Sequence, residues 1–526
     1  MGEVMDANRL AKTNYQISFK DNKPNERLCS VELTAAELAK FRKAVKEDWY
    51  YQMYFDDLPV WGVIGKTEKV LQRPGTRNRQ LLFTHMHFEL KYNGEHVVEI
   101  SVPPDRQDPV DISKGVLSRP HQTLHVDFTY SVHWTPTTTK FENRLQRYKR
   151  DVVNPVHLEI HWFSIVNSCV TVLLLTAFMA TILMRILKND FSKYAKDEEV
   201  GGLEEDESGW KDIHGDVFRF PPLEILFCAF VGTGTQLFFL SGSIFVLAAV
   251  GVFYPYNRGA LFTALVVLYA LTAGISGYVG CSYYRQMGGR HWVPCIFLMC
   301  FVFCGPLFMV FCFLNTVAIA YRSTAALPFG TIVVILVIWA LITIPLTVLG
   351  GVVGKNSRSE FYAPVRTNKH PREIPVLPWF QSAPAQMVMA GFLPFSAIYV
   401  ELYYVFTSIW GHRLYIIWSI LSIVFVILII VTAFVTMALT YFQLAAEDHR
   451  WWWRSFLRGG STGAFIYAYC FYYYVWQSQM YGFMQASFFF CYMAIVAYGF
   501  FLMLGAVGWR ASLMFVRHIY KSIKIE

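Results

Sequence analysis

Nine long apolar stretches constrain the fold of this chain more than any other feature of its sequence. A helix needs about 20 residues to cross about 30 Å of hydrocarbon, and each stretch is long enough. Only 16% of the residues are charged, whereas soluble domains carry about 25%. The sequence therefore predicts a polytopic α-helical membrane protein with nine transmembrane helices. We place them near 159–184, 223–254, 259–283, 292–321, 328–350, 384–408, 414–442, 460–482 and 486–512.

Residues 1–158 differ in character and predict a β-rich domain. Apolar and polar residues alternate with period two, as in half-buried strands, and the Asn93–Gly94 pair is typical of a hairpin turn. A helix, continuous or interrupted, is predicted within 32–51. We expect a β-sandwich-like domain with an accessory helix. The alternating segments are 83–90, 96–102 and 125–134.

The basic residues predict which side of the membrane each loop occupies. Loops after the odd-numbered helices, together with the tail, contain 19 Lys and Arg residues, whereas the alternate loops contain 3. Cytosolic loops collect such residues, so we expect a lumenal N-terminus and a cytosolic C-terminus. The same bias explains the net charge of +8 without nucleic-acid binding. The predicted division is a lumenal domain (1–158), helix 1 (159–184), a cytosolic loop (185–222), a bundle of helices 2–9 (223–512) and a cytosolic tail (513–526).

Several long, compositionally unusual segments resemble the transmembrane 9 superfamily, the nonaspanins, and its plant members in particular. They include GEVMDANRL at 2–10, FRFPP at 218–222, YPYNRG at 254–259, NKHPREIPVLPWF at 368–380 and EDHRWWWRSFLRGGST at 447–462. The resemblance implies a multi-pass protein of Golgi and endosomal membranes. It also implies a role in sorting or surface delivery of client membrane proteins with glycine-rich transmembrane segments. Family members begin with a signal and further lumenal residues, so we expect those to be absent from this sequence.

The resemblance also implies a trafficking signal at the C-terminus. Lys524 and Glu526 match the KxE ending of plant members, which vesicle coat proteins read to retain the protein in the Golgi. An exposed chain end offers a charged groove one cation and two carboxylates, those of the side chain and of the terminus. Coat proteins, membrane lipids and client membrane proteins are therefore the expected partners.

Polar residues within the apolar stretches suggest a second function. Polar groups at membrane depth are costly and often functional, although they also join helices by hydrogen bonds. They could line a path, which would make the protein a transporter or channel for a small solute or lipid, or they could bind a client. These candidates are Thr233, Thr235, Gln236, Asn315 and Glu401.

Glycines recur at helical spacing in two of the stretches. Small residues allow helix backbones to approach closely, either within one bundle or where a client's transmembrane helix enters a groove. Both interpretations stay open at the level of sequence. The glycines are Gly274, Gly277, Gly280, Gly350 and Gly354.

Two further groups have weaker functional interpretations. Trp451, Trp452 and Trp453 stand between arginines, a pattern typical of an anchor at the membrane interface. His85 and His87 share a strand face and are weak candidates for a lumenal zinc or copper site, a third possible function. The sequence contains no HExxH or Walker motif, and we expect a non-enzymatic protein without a cofactor.

Overall fold

The structure, a computed structural model, contains two compact units, Ala11–Val152 and Val153–Glu526, the latter also taking in Met1–Leu10. We describe each unit by itself. The residues that the structure describes are 12–46, 49–56, 58–72, 75–103, 109–113, 123–141, 144, 166, 170, 173–174, 176–189, 192, 209–253, 260–323, 326–357, 360–376, 378–410, 418–478, 480 and 482–521.

The first unit consists of three β-sheets and one helix. One sheet has the strand order β1-β9-β6-β7, a second has the order β4-β5-β8, and β2 pairs with β3. The pair β6 and β9 is parallel, and the other pairs are antiparallel. The elements are β1 (Lys23–Leu33), α1 (Ala35–Lys46), β2 (Tyr50–Phe55), β3 (Leu58–Val63), β4 (Gly65–Gln72), β5 (Gly75–Phe83), β6 (His85–Asn93), β7 (His96–Ser101), β8 (Pro109–Asp111) and β9 (Leu124–Pro136).

The predicted alternation fixes which face of each strand is buried. The predicted strands are found as β6, β7 and β9, and Val126, Val132 and Trp134 of β9 point into the core as expected. Helix α1 is shorter than the predicted 32–51. It begins with a capping box, in which the backbone N–H of Thr34 donates to the Glu37 carboxylate at 2.9 Å and so satisfies a donor at the helix start.

The second unit is helical. The residues at 176–189 are helical, so this helix continues past 184, where predicted helix 1 ends. A π-helical turn, Trp339–Thr343, joins α6 to α7, and Pro345 lies in the first turn of α7. The helices are α2 (Glu224–Val250), α3 (Ala260–Gln286), α4 (Trp292–Val302), α5 (Cys304–Ala320), α6 (Phe329–Ile338), α7 (Ile344–Asn356), α8 (Ala383–Trp410), α9 (Trp418–Ala445), α10 (Trp451–Trp476) and α11 (Phe483–Lys521).

Seven helices among the described residues are long and apolar enough to cross a membrane. They correspond to predicted helices 2–7 and 9, with α4–α5 and α6–α7 each forming one span. Predicted helix 8 is present as α10, but it begins at Trp451 rather than near 460 and contains two arginines in its first half. Predicted helix 1 lies partly outside the described residues. A polytopic helical membrane protein is therefore established, whereas nine spans stay a prediction.

Candidate functional site

The repeated glycines lie where α3 and α7 touch. A Cβ atom on Gly277 would collide with the carbonyl oxygen of Thr347, and one on Gly350 would collide with that of Gly274. Gly354 approaches the backbone of Tyr278 in the same way. These glycines therefore bring two helix backbones of this chain together, and a client helix could not use the same surfaces without separating α3 from α7.

Gly280 faces a different neighbour. A Cβ atom there would collide with the sulfur of Met299 in α4 and would lie 3.1 Å from the carbonyl oxygen of Cys228 in α2. Helix α3 therefore uses its glycines on two sides, toward α7 and toward α2 and α4.

The polar candidates in α2 make helix contacts. Gln236 is buried, and its Nε2 donates to the carbonyl oxygen of Tyr269 in α3 at 3.0 Å. Thr235 donates to the carbonyl oxygen of Val231 within its own helix at 2.7 Å. The hydroxyl of Thr233 is buried without a hydrogen-bond partner in the described part of the chain. The Gln236 contact joins two helices, which is a packing role rather than evidence of a transport path.

Asn315 and Glu401 lie in other parts of the bundle. The side-chain oxygen of Asn315 accepts the backbone N–H of Leu327 at 2.8 Å, which holds the connection between α5 and α6. Glu401, in α8, is 8% exposed, and one carboxylate oxygen has no hydrogen-bond partner among the described residues. The contacts of Gln236 and Asn315 thus run to separate partners, and a shared path stays a prediction.

The tryptophan triplet differs from the sequence prediction. An interface anchor faces lipid, yet Trp451 and Trp452 are 0% and 2% exposed. The indole N–H of Trp451 donates to the carbonyl oxygen of Val217 at 2.8 Å. That of Trp453 donates to the carbonyl oxygen of Pro222, also at 2.8 Å. The triplet therefore fastens the start of α10 to the chain before α2, and the anchor interpretation is wrong for Trp451 and Trp452.

Three connecting segments form one packed layer at the end of the bundle where α10 begins. We call residues 209–223, 360–376 and 446–450 the loop layer. The backbone N–H of Asn368 donates to the carbonyl oxygen of Gly215 at 2.7 Å, and the Gly209 N–H donates to the Glu447 carboxylate at 3.1 Å. The end of α11 joins them, because the Tyr520 hydroxyl donates to the carbonyl oxygen of Trp210 at 2.5 Å.

A buried carboxylate organises the loop layer. Asp216 is 3% exposed; one oxygen pairs with Arg219 at 2.6 Å, and the other accepts the backbone N–H of Arg372 at 3.2 Å. The Arg372 guanidinium pairs with Asp212. Since charge-assisted hydrogen bonds are the stronger ones, these contacts hold segments that lie far apart in sequence. The layer includes loops predicted to follow helices 1, 5 and 7, so these loops share one end of the bundle.

The histidine candidates are engaged by neighbouring hydroxyl groups. His85 Nδ1 lies 2.7 Å from the Thr129 hydroxyl, and the Ser131 hydroxyl lies 2.9 Å from His85 Nε2 and 2.6 Å from His87 Nδ1. The parallel pairing of β6 with β9 produces these contacts. Among the described residues, no three His, Cys, Asp or Glu side chains come together as a metal site. Lys524 and Glu526 lie outside those residues.

An open apolar groove runs along α2 and is bordered by Leu268 of α3. Most of its lining residues have large apolar side chains, and the two small ones are Gly242 and Ser243. A Cβ atom on Gly242 would meet no atom within 4 Å, so this glycine, unlike those of α3, has no helix against it. The groove residues are Phe238, Phe239, Gly242, Ser243, Val246, Leu247 and Leu268.

Comparison with known proteins identifies the family of this chain. The profile of the family called endomembrane protein 70 matches residues 1–483. The chain belongs to the endomembrane protein 70 family. The whole chain aligns at 61% identity with 88% of transmembrane 9 superfamily member 3 of Arabidopsis thaliana. It aligns at 43% identity with 87% of transmembrane 9 superfamily member 1 of Bos taurus. No solved structure matches it.

A further relative of this endomembrane protein 70 family member bears a functional name. The protein called "Putative phagocytic receptor 1b" of Dictyostelium discoideum is 44% identical over the whole chain, which covers 88% of that relative. The resemblance to the transmembrane 9 superfamily is thus confirmed. The chain is a multi-pass membrane protein of this family.

Sequence reasoning misses a buried arginine, Arg458, near the start of α10. It assigns Arg458 to a loop, yet this residue lies inside the helix and is 1% exposed. Arg450, Arg454 and Arg458 follow one another at intervals of four residues. Because residues four apart lie on one helix face, that spacing is a signal that the helix begins before 460.

Proposed function

We propose that this protein sorts or localises other membrane proteins in Golgi and endosomal membranes and is not an enzyme. The observation that carries the proposal is that the family profile matches residues 1–483. One relative, moreover, bears the name of a receptor. The groove on α2 and α3 supports it. An occupant at membrane depth is a lipid or a helix, and small residues such as Gly242 favour close helix approach. We take the occupant to be a client's transmembrane helix.

We propose that the loop layer faces the cytosol. The excess of basic residues in the loops that compose it supports this orientation, and the contacts among those loops mean that this bias applies to them together. The tail that follows α11 would then reach coat proteins through Lys524 and Glu526. The unit Ala11–Val152 would lie in the lumen.

A rescue experiment tests the sorting function. Cells that lack the protein are given the wild type or Gly242→Leu, and surface biotinylation measures membrane proteins with glycine-rich transmembrane segments. The leucine fills the groove, so we expect rescue about tenfold weaker, the factor that a loss of about 1.4 kcal/mol produces.

Gly330→Leu is the matched control. A Cβ atom on Gly330 also meets no neighbour within 4 Å, but this residue lies in α6, away from the groove. We expect normal rescue from it. Equal rescue by both variants would exclude the groove as the client site, and normal client delivery in cells without the protein would contradict the sorting function itself.

A further inference from the structure

A fully buried arginine lies inside the helix bundle. Arg458 is the eighth residue of α10 and is 1% exposed. One of its nitrogens, Nη2, donates to the side-chain oxygen of Gln443 in α9 at 2.6 Å and to that of Gln386 in α8. Both glutamines are also buried. Three helices therefore converge on one guanidinium.

The partners of Arg458 do not balance its charge. Both are neutral amides, and the acid beside the cluster, Asp448, is already paired with Arg454 at 2.6 Å. Asp448 also accepts the backbone N–H of Arg450 at 3.0 Å. Since Arg454 neutralises Asp448, one positive charge is left over on Arg458. A buried charge without a counter-charge is strongly unfavourable.

The hydrogen bonds show the same imbalance. Arg458 Nε and Nη1, and Gln443 Nε2, are buried and have no acceptor among the described residues. The hydroxyl of Thr462, one helical turn after Arg458, is likewise without a partner there. A guanidinium and an amide nitrogen can only donate hydrogen bonds. In the neighbouring ion pair, Arg454 Nη1 and Asp448 Oδ2 also have no hydrogen-bond partner in the described part of the chain, so four such donor nitrogens stand against one carboxylate oxygen. The cluster thus has surplus donors and surplus positive charge, so the group that completes it accepts hydrogen bonds and is negative.

The cluster lies near the loop layer. Gln386 is in the first turn of α8, Gln443 is in the last turn of α9, and Arg458 is about 10 Å along α10 from its start. An ion from the aqueous side would therefore travel a short distance. We propose that Arg458, Gln443 and Gln386 form a binding site for a small inorganic anion of the halide class.

Thermal unfolding of the purified full chain in detergent tests the site. Chloride is titrated against gluconate at constant ionic strength. A ligand that binds the folded state raises the melting temperature in a saturable way, and we expect a rise of about 2–4 °C. Arg458→Gln removes the charge and should abolish the rise. Arg510→Gln, which changes an exposed arginine of α11, should keep it.

A second variant tests the charge argument without removing Arg458. Gln386→Glu places a carboxylate beside the guanidinium, so it supplies the negative charge from within the chain. We expect it to melt at a higher temperature than the wild type in gluconate and to lose most of the chloride response. A wild-type melting temperature that does not depend on chloride would overturn the proposal. A chloride response that persists in both Arg458→Gln and Gln386→Glu would place the ion elsewhere and also overturn it.

Discussion

At the scale of single residues, His449 makes the folded state sensitive to pH. It lies between α9 and α10 and is 5% exposed. Burial lowers its pKa below the ordinary 6.5, although Asp216 and Asp448 oppose the shift. The unfolded chain therefore binds a proton more readily than the folded chain. The resulting stability is complete above about pH 6.5 and is lost as the pH falls toward the folded-state pKa.

We expect His449→Gln to reduce this acid sensitivity. Melting temperatures of wild type and variant, measured from about pH 7.5 down to about pH 5.5, should fall more steeply for the wild type. His214→Gln is the control, because His214 belongs to the same loop layer but is exposed. Parallel curves for wild type and His449→Gln would contradict the burial of a neutral imidazole.

Sequence alone predicts the buried strand residues well and the buried polar residues poorly. Val126 and Trp134 follow a period-two pattern that burial dictates directly. Trp451 carries no comparable pattern. An indole suits a lipid interface as well as a protein core that offers its N–H an acceptor. The acceptor of Trp451 is the carbonyl oxygen of Val217, far away in sequence. Only the folded chain therefore shows that this indole lies in the protein core and not at the lipid interface.

At the scale of elements, the contact between α3 and α7 depends on glycines, which have no side chain to separate the two helices. Gly277→Leu would force a side chain into the backbone of Thr347. We expect it to lower the free energy of unfolding by about 1–3 kcal/mol, as overpacking does, measured by thermal unfolding in detergent. Gly305→Leu in α5 has open space around its Cβ and should change stability by less than about 0.5 kcal/mol. Equal losses in both variants would refute close packing of α3 on α7.

Helix positions are predictable where hydrophobicity alone decides them. The predicted bounds of helices 2–7 agree with the structure to within six residues, because the bilayer sets the length of an apolar helix. The start of α10 is not predictable in this way. Its first two turns contain Arg454 and Arg458, which a hydropathy pattern assigns to a loop. Their placement depends on Asp448, Gln386 and Gln443, which are contributed by other elements.

At the scale of the whole molecule, the loop layer gives the bundle one distinctive end. Segments before α2, between α7 and α8, and between α9 and α10 meet there. The segment before α2 also binds the end of α11. Charge counting predicts that these loops share a side of the membrane, and their contacts agree with it. The hydrogen bonds of the layer are not predictable, since Asp216 and Arg372 lie 156 residues apart.

The labelling of two thiols in selectively permeabilised cells tests the proposed orientation most directly. Cys29, in β1, is exposed, and Lys369→Cys places a second thiol on the exposed surface of the loop layer. Cys169 and Cys312 are replaced by serine. Cells whose plasma membrane alone has been permeabilised are treated with a membrane-impermeant maleimide. We predict that the thiol introduced by Lys369→Cys is labelled at once, and Cys29 only after detergent opens the internal membranes. Labelling of both thiols, or of Cys29 alone, before that step would contradict the account.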